Sequence, residues 1–423
     1  MSRFIFDGYT FDHTSRTARF NYRFDDSSEK FTEVVEFADG DNEYDHEVLE
    51  RVLGLAHMVI GTSYYKTFPT PDVELQSGEI DEWQASFLNK IYQEGLSQFA
   101  FENDLMRADL AQFSATGAAK AAVTYDGSGV VSLQSGGKDS LLVATMLEEK
   151  QVGFSSLYIS SSEAYPQIID AIGRPVRLIR RQIDRDALKR AAENGGKNGH
   201  VPVTYIVLAI SLTQAILDGK NTVLAAIGHE GEEPHAWIDD LPVNHQWSKT
   251  WQAEQLFAEY VQRYISPDIH VGSPLRVFSE LKIAELFAKK AWAKYGHAFS
   301  SCNVANYQQG VQNTELKWCG NCPKCANSYL LFAPFIAPDE LQSLFGGQDL
   351  FAKPSLTDIF KGLLGIDGFM KPFECVGEVD ELRLAYHKAL DSGYSPLSFS
   401  VPASSFDLDI HYAAQEWATR MLQ

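Results

Sequence analysis

The hexapeptide Ser135-Gly136-Gly137-Lys138-Asp139-Ser140 lies between an apolar run, Val130-Val131-Ser132-Leu133, and a helix-like stretch from Leu141 to Leu147. A buried strand, a turn of small residues and a helix start together make a corner that binds phosphate. The two glycines permit torsions closed to other residues and let amide N–H groups converge on an anion. The helix N-terminus adds partial positive charge and unpaired donors. Ser135 and Ser140 can offer hydroxyls, Lys138 can neutralise phosphate charge, and Asp139 can hold Mg²⁺ or cap the helix. The Walker loop is excluded, because its four-residue gap and Gly-Lys-Ser/Thr ending are missing.

Strands and helices alternate around this corner. Val130–Leu133, Phe154–Ile159, Val176–Ile179 and 221–227 read as strands, while Leu141–Glu149 and His200–Leu217 read as helices. Such alternation predicts an α/β fold whose parallel sheet is covered on both faces, with ligands at the carboxyl ends of its strands. Residues 3–37 read differently, as an aromatic-rich β-meander broken at Asp7-Gly8, His13-Thr14-Ser15 and 25–28. From Asp45 to about Leu110 the apolar period is helical. Three parts follow: 1–120, an accessory or substrate domain of meander and helices; 121–335, the nucleotide-binding domain with a four-cysteine site; and 336–423, a mostly helical extension.

Composition narrows the function. A formal charge of −20 over 423 residues argues against binding long nucleic acid, which calls for a basic face. Arg174, Arg177, Arg180, Arg181 and Arg185 form one basic cluster, either a receptor for an anionic small substrate or a strand with salt-bridged flanks. The N-terminus carries no basic-then-apolar leader, and the stretch from Tyr205 to Leu217 is too short and too polar for a membrane span. A cytoplasmic protein without membrane partners is expected. The loop from Gly228 to about Thr250 gathers His229, Glu230, His245 and two tryptophans, and is expected to face substrate and metal.

Cys302, Cys319, Cys322 and Cys325 fall in one region. Two-residue gaps bring thiolates around one metal, with Cys302 as a fourth ligand. Four thiolates suit a closed structural Zn²⁺ site, and close spacing also suits an iron–sulfur cluster.

The sequence SGGKDS resembles the signature of the PP-loop ATP pyrophosphatases, which transfer AMP from ATP to a substrate oxygen and release pyrophosphate. Ser301-Cys302 and 319–325 resemble the zinc site of the cyano-deazaguanine synthases of that superfamily, with a longer gap after the first cysteine; this resemblance implies zinc. The whole chain resembles the ATP-dependent UDP-N-acetylmuramoyl-L-alanyl-L-glutamate epimerases of some bacteria, most strongly over 130–147, 301–307, 313–335 and, toward the C-terminus, 371–377. The resemblance implies ATP and Mg²⁺ as cofactors and a UDP-MurNAc-dipeptide as substrate. A glutamyl adenylate would acidify the α-carbon, which a base then deprotonates for return of the proton to the other face. With four cysteines bound to zinc, only Cys375 remains, so a two-thiol mechanism is closed. The candidates for proton transfer are His229, Glu230, His245 and Cys375. The alternative is a synthetase or tRNA-thiolating enzyme of the same superfamily that adenylates another carboxyl or amide.

Overall fold

A computed structural model describes residues 2–40, 43–76, 78–307 and 314–422. In the first part, aromatic residues alternate with polar ones, and the pattern produces three antiparallel strands: β1 (Phe4–Asp12), β2 (Thr17–Phe24) and β3 (Lys30–Glu36). Phe4, Phe6, Phe20, Tyr22, Phe24 and Phe31 are all buried. The expected break at Asp7-Gly8 is instead a bulge within β1, where the register shifts between Phe6 and Gly8. Gly8 takes φ +104°, a torsion that favours glycine, so the strand absorbs an extra residue without ending. Within the helical region a short strand, β4 (Val73–Leu75), pairs parallel to β1. Three residues are too few to show a period of two.

Asp45 starts the helix His46–Ile60 by accepting from the amides of Glu47 and Val48, and Asp81 with Gln84 forms a capping box for Glu82–Gln93. The parallel strands are β5 (Val130–Leu133), β6 (Phe154–Ser160), β7 (Val176–Gln182), β8 (Thr222–Leu224) and, beyond a hairpin of β9 (Ala236–Ile238) and β10 (Leu241–Val243), β11 (His270–Gly272). The order is β11-β8-β5-β6-β7-β3-β2-β1-β4, so the meander extends the parallel strands into one nine-stranded sheet. The 228–250 segment thus contains a hairpin.

Neighbouring residues of the parallel strands face opposite cores. Val131, Leu157 and Val223 join the helices His46–Ile60 and Val203–Leu217 on one side. Val130, Tyr158 and Leu224 join Lys138–Glu149, Glu280–Lys290, Pro323–Phe332 and Val379–Asp391 on the other. A strand apolar on both faces must be covered on both, which explains its lack of alternation.

The seam between meander and parallel strands explains the arginine cluster. β3 and β7 run antiparallel with Val35 opposite Arg181. Arg181 lies 2.6 Å from Glu33, which is fully buried and also accepts from the Tyr64 hydroxyl at 3.0 Å. Arg177 pairs with Asp218, and Arg180 with Glu36 and Glu163. These three cations are held by carboxylates of the fold, the salt-bridged arrangement.

The C-terminal part is less helical than expected. It contains Pro338–Ser343, Thr357–Leu363, Val379–Asp391 and Glu416–Arg420, with a long irregular stretch from 392 to 415. That stretch returns to the sheet edge, where Gln415 donates to the Val271 carbonyl at 2.9 Å and Trp417 stands 5.2 Å from His270. One of its backbone amides, that of Tyr412, donates to the Val277 carbonyl at 3.0 Å. No helix among the described residues is long and apolar enough to cross a membrane.

Candidate active site

β5 ends at Leu133 and the helix begins at Lys138, so the hexapeptide occupies the carboxyl edge of the sheet. Gly136 has φ +76°, and a Cβ there would lie 2.6 Å from Leu316 Cδ1 and 2.9 Å from Ile168 Cγ2. Only glycine fits on both grounds. The Ser135 amide donates to Ser140 Oγ at 3.2 Å, the Gly137 amide to Ser135 Oγ at 3.3 Å, and Ser140 Oγ to the Gly137 carbonyl at 3.1 Å. These bonds close the turn. Gly137 is the N-cap and brings no side chain to the first-turn amides.

A cleft of about 450 Å³ opens at this edge. Ser135, Gly137, Asp139 and Ser140 line it, together with Lys249, Lys324 and Cys375. Gln134 also borders it; its side chain is buried and its Oε1 has no hydrogen-bond partner among the described residues.

Lys138 points elsewhere. Its ammonium lies 2.5 Å from Asp139 and 2.7 Å from Glu280, with only 8% of the side chain exposed. Burial opposes its charge, but Asp139 and Glu280 hold it above its ordinary value. Glu280 is itself buried, which pushes its carboxyl up against the pull of Lys138. Lys138 remains charged because two carboxylates reach it.

Of the four candidates for proton transfer, Glu230 and Cys375 both flank Lys249, whereas the two histidines pack against other side chains. His229 stacks on Tyr412 with ring centroids 3.4 Å apart and lies 3.5 Å from Glu378. Burial, with Arg276, lowers its pKa to about 4. His245 contacts Gln98 at 2.5 Å and packs 4.6 Å from His200; burial above all, then His200, brings it to about 2. Glu230 is buried and accepts from Lys249. Of the four, Cys375 borders the cleft.

Cys375 is brought there by the cysteine cluster. Lys324, between Cys322 and Cys325, donates to the Cys375 carbonyl. Asn303, next to Cys302, donates to Glu374 at 2.9 Å, and the Gly377 amide donates to Asn327 at 3.0 Å. The sequence carried no sign of these contacts. Lys324 was visible only as a spacer inside the cysteine motif.

The cluster itself has the dimensions of a one-ion site. Bonds of about 2.3 Å to a tetrahedral ion set sulfur–sulfur edges at roughly 3.8 Å. Cys302–Cys322 and Cys319–Cys325 are separated by 3.7 Å and Cys322–Cys325 by 3.5 Å. All four sulfurs lie within 4.8 Å of one another, an arrangement that could hold a metal ion such as zinc. The amides of Ala305, Gly320 and Asn321 donate to Cys302, Cys325 and Cys319. Such bonds stabilise thiolates. Residues 308–313, where the longer gap after Cys302 and the start of the 313–335 stretch fall, lie outside the described residues.

Comparison with known proteins bears on both halves of this site. Family models described as the MurL N-terminal domain and the MurL C-terminal domain match residues 1–273 and 298–395. The chain belongs to the MurL family. The UDP-N-acetyl-alpha-D-muramoyl-L-alanyl-L-glutamate epimerase of Salinispora tropica is 32% identical over 393 residues, covering 91% of this chain and 84% of the relative. The Xanthomonas oryzae pv. oryzae protein of the same name is 34% identical over 343 residues, covering 80% and 74%. A third, from a Micromonospora species, is 32% identical over 393 residues, covering 91% and 86%. These relatives are named as epimerases, so the MurL family is one of isomerases, and this chain is an enzyme of that class. The first MurL match runs through the meander and the hexapeptide, and the second holds the cysteine cluster and Cys375.

Proposed function

We propose that this protein epimerises the terminal L-glutamate of UDP-MurNAc-L-Ala-L-Glu to D-glutamate at the expense of ATP, in peptidoglycan precursor synthesis. The observation that carries this reading is the cleft, which faces a glycine-turned anion corner with a thiol. The relatives' names supply the substrate.

On this reading the hexapeptide is a PP-loop. The loop amides and the hydroxyls of Ser135 and Ser140 hold the phosphates, and the orphaned Gln134 Oε1 suits a ligand donor such as the amino group of adenine. Mg²⁺, held by Asp139, would supply charge neutralisation at the phosphates. A glutamate carboxylate oxygen attacks the α-phosphorus, the bond to the β-phosphate bridging oxygen breaks, and pyrophosphate leaves. The mixed anhydride removes the carboxylate's negative charge, so the α-hydrogen becomes acidic. Cys375 removes the α-proton from its side of the cleft, a solvent-derived proton is delivered to the opposite face so that the configuration inverts, and water cleaves the anhydride to AMP and the D-glutamyl product.

Zinc suits the four sulfurs as a closed structural ion, with no position open for chemistry. Residues 1–120 then form the substrate-shaping part, 121–335 the ATP-binding part with the zinc site, and 336–423 the extension that supplies Cys375. Four cysteines gathered around one metal position and a nucleotide-linked substrate suit the cytoplasm.

The test is incubation with ATP, Mg²⁺ and the UDP-muramoyl dipeptide in D₂O. AMP should form, and the D-glutamyl product should carry deuterium at its α-carbon. Unchanged configuration without AMP would reject the epimerase, and an amide or thio product would favour a synthetase.

A further inference from the structure

Lys138 is the hexapeptide's only cation, yet its ammonium lies between Asp139 and Glu280, and Lys138 does not border the cleft. Two other lysines do, Lys249 and Lys324. The Lys324 ammonium is directed to the Cys375 carbonyl. Lys249 differs. Its contacts are with the two oxygens of Glu230, both at 3.3 Å, which is long for a charge-assisted bond and leaves donor capacity for a ligand.

The backbone of Lys249 is anchored. Arg276 is fully buried, and its Nη1 donates at 2.7 Å to both the Gly228 and Lys249 carbonyls. Its Nε donates to Glu254 at 3.0 Å. One guanidinium therefore ties together the two ends of the 228–250 segment. The ammonium at its end is presented from a clamped base. Burial works against the Lys249 charge, but Cys375, Glu230, Asp139 and Glu280 around it hold the ammonium charged.

We infer that Lys249, rather than the loop's own Lys138, is the cation that receives anionic oxygen in the cleft, either a phosphate of ATP or the carboxylate of the acyl substrate. The inference rests on the ATP-dependent reading of the same cleft and adds to it the residue that pairs the ligand's charge. Lys138 becomes a structural cation that keeps Glu280 and Asp139 in place.

Equilibrium binding, without turnover, tests this on the full-length protein. Wild type, Lys249→Met and Lys249→Gln are titrated separately with ATP plus Mg²⁺ and with the UDP-muramoyl dipeptide. Lys249→Gln removes the charge while keeping a donor for Glu230, so it covers the case in which methionine does not fold. A loss of tenfold or more in one arm, with an unchanged melting temperature and substantial recovery in Lys249→Arg, supports the inference and names the oxygen's source. Folded variants that bind both ligands as wild type does overturn it. Wild type that binds neither ligand overturns the ATP reading itself, and the inference with it. Lys138→Met should lower the melting temperature, because it leaves Glu280 buried without its cation.

Discussion

Asp139 and Cys375 both line the cleft, and their substitution should separate two half-reactions. Asp139→Ala removes the carboxylate expected to hold Mg²⁺, so AMP formation should fall at least about a hundredfold while the far-ultraviolet dichroism stays unchanged. Cys375→Ala should leave pyrophosphate release measurable, but should cut incorporation of solvent deuterium at the α-carbon by roughly 10²–10⁴-fold. Equal loss of both signals in Cys375→Ala would assign the thiol to binding or packing. The hexapeptide was legible because its chemistry is local: the torsion of Gly136 and the bonds between Ser135 and Ser140 close within six residues. The orientation of Lys138 was not, because Glu280 lies 142 positions away.

At the scale of elements, two joints decide how the parts meet. The β3–β7 seam depends on Glu33 and Arg181, a buried pair at 2.6 Å. Removing one partner leaves an uncompensated charge, so Glu33→Ala should cost about 3–5 kcal/mol, read from the midpoint of urea unfolding. A cost below about 1 kcal/mol would mean that water reaches Arg181 in the variant. The second joint is the cysteine cluster, which ties Asn303 and Lys324 to the segment carrying Cys375. Cys322→Ser should lower both zinc content and melting temperature, because such a site contributes folding energy directly. Full metal and stability would argue against a structural ion. The strands β5, β6, β7 and β8 and the helices within 141–149 and 200–217 were readable as apolar runs. The short β4, the β9–β10 hairpin and the irregular 392–415 stretch were not, since their partners lie on other segments.

Across the whole molecule, the two cores should answer pH with opposite signs. His57, fully buried on the His46–Ile60 side, is lowered to about 4 by burial. The unfolded chain takes up this proton near pH 6.5, and the folded protein does not until about 4. Stability is therefore lost as pH falls through that window, and relative to His57→Gln the wild type should lose about 3 kcal/mol. Glu381, fully buried on the other face, is raised by burial from 4.5 to about 8. The unfolded chain releases its proton first, so wild type should lose stability relative to Glu381→Gln as pH rises from 4.5 toward 8. Chemical unfolding of both variants at several pH values checks both signs. The amino-acid order by itself determined four of the sheet's parallel strands, the glycine turn and the cysteine quartet, because each is written in spacings of a few residues. Tertiary structure alone decided that the meander completes the same sheet, that Lys138 turns inward, and that Cys375 and Lys249 reach the cleft. These outcomes depend on charge pairing and packing between distant segments, for which local spacing holds no signal.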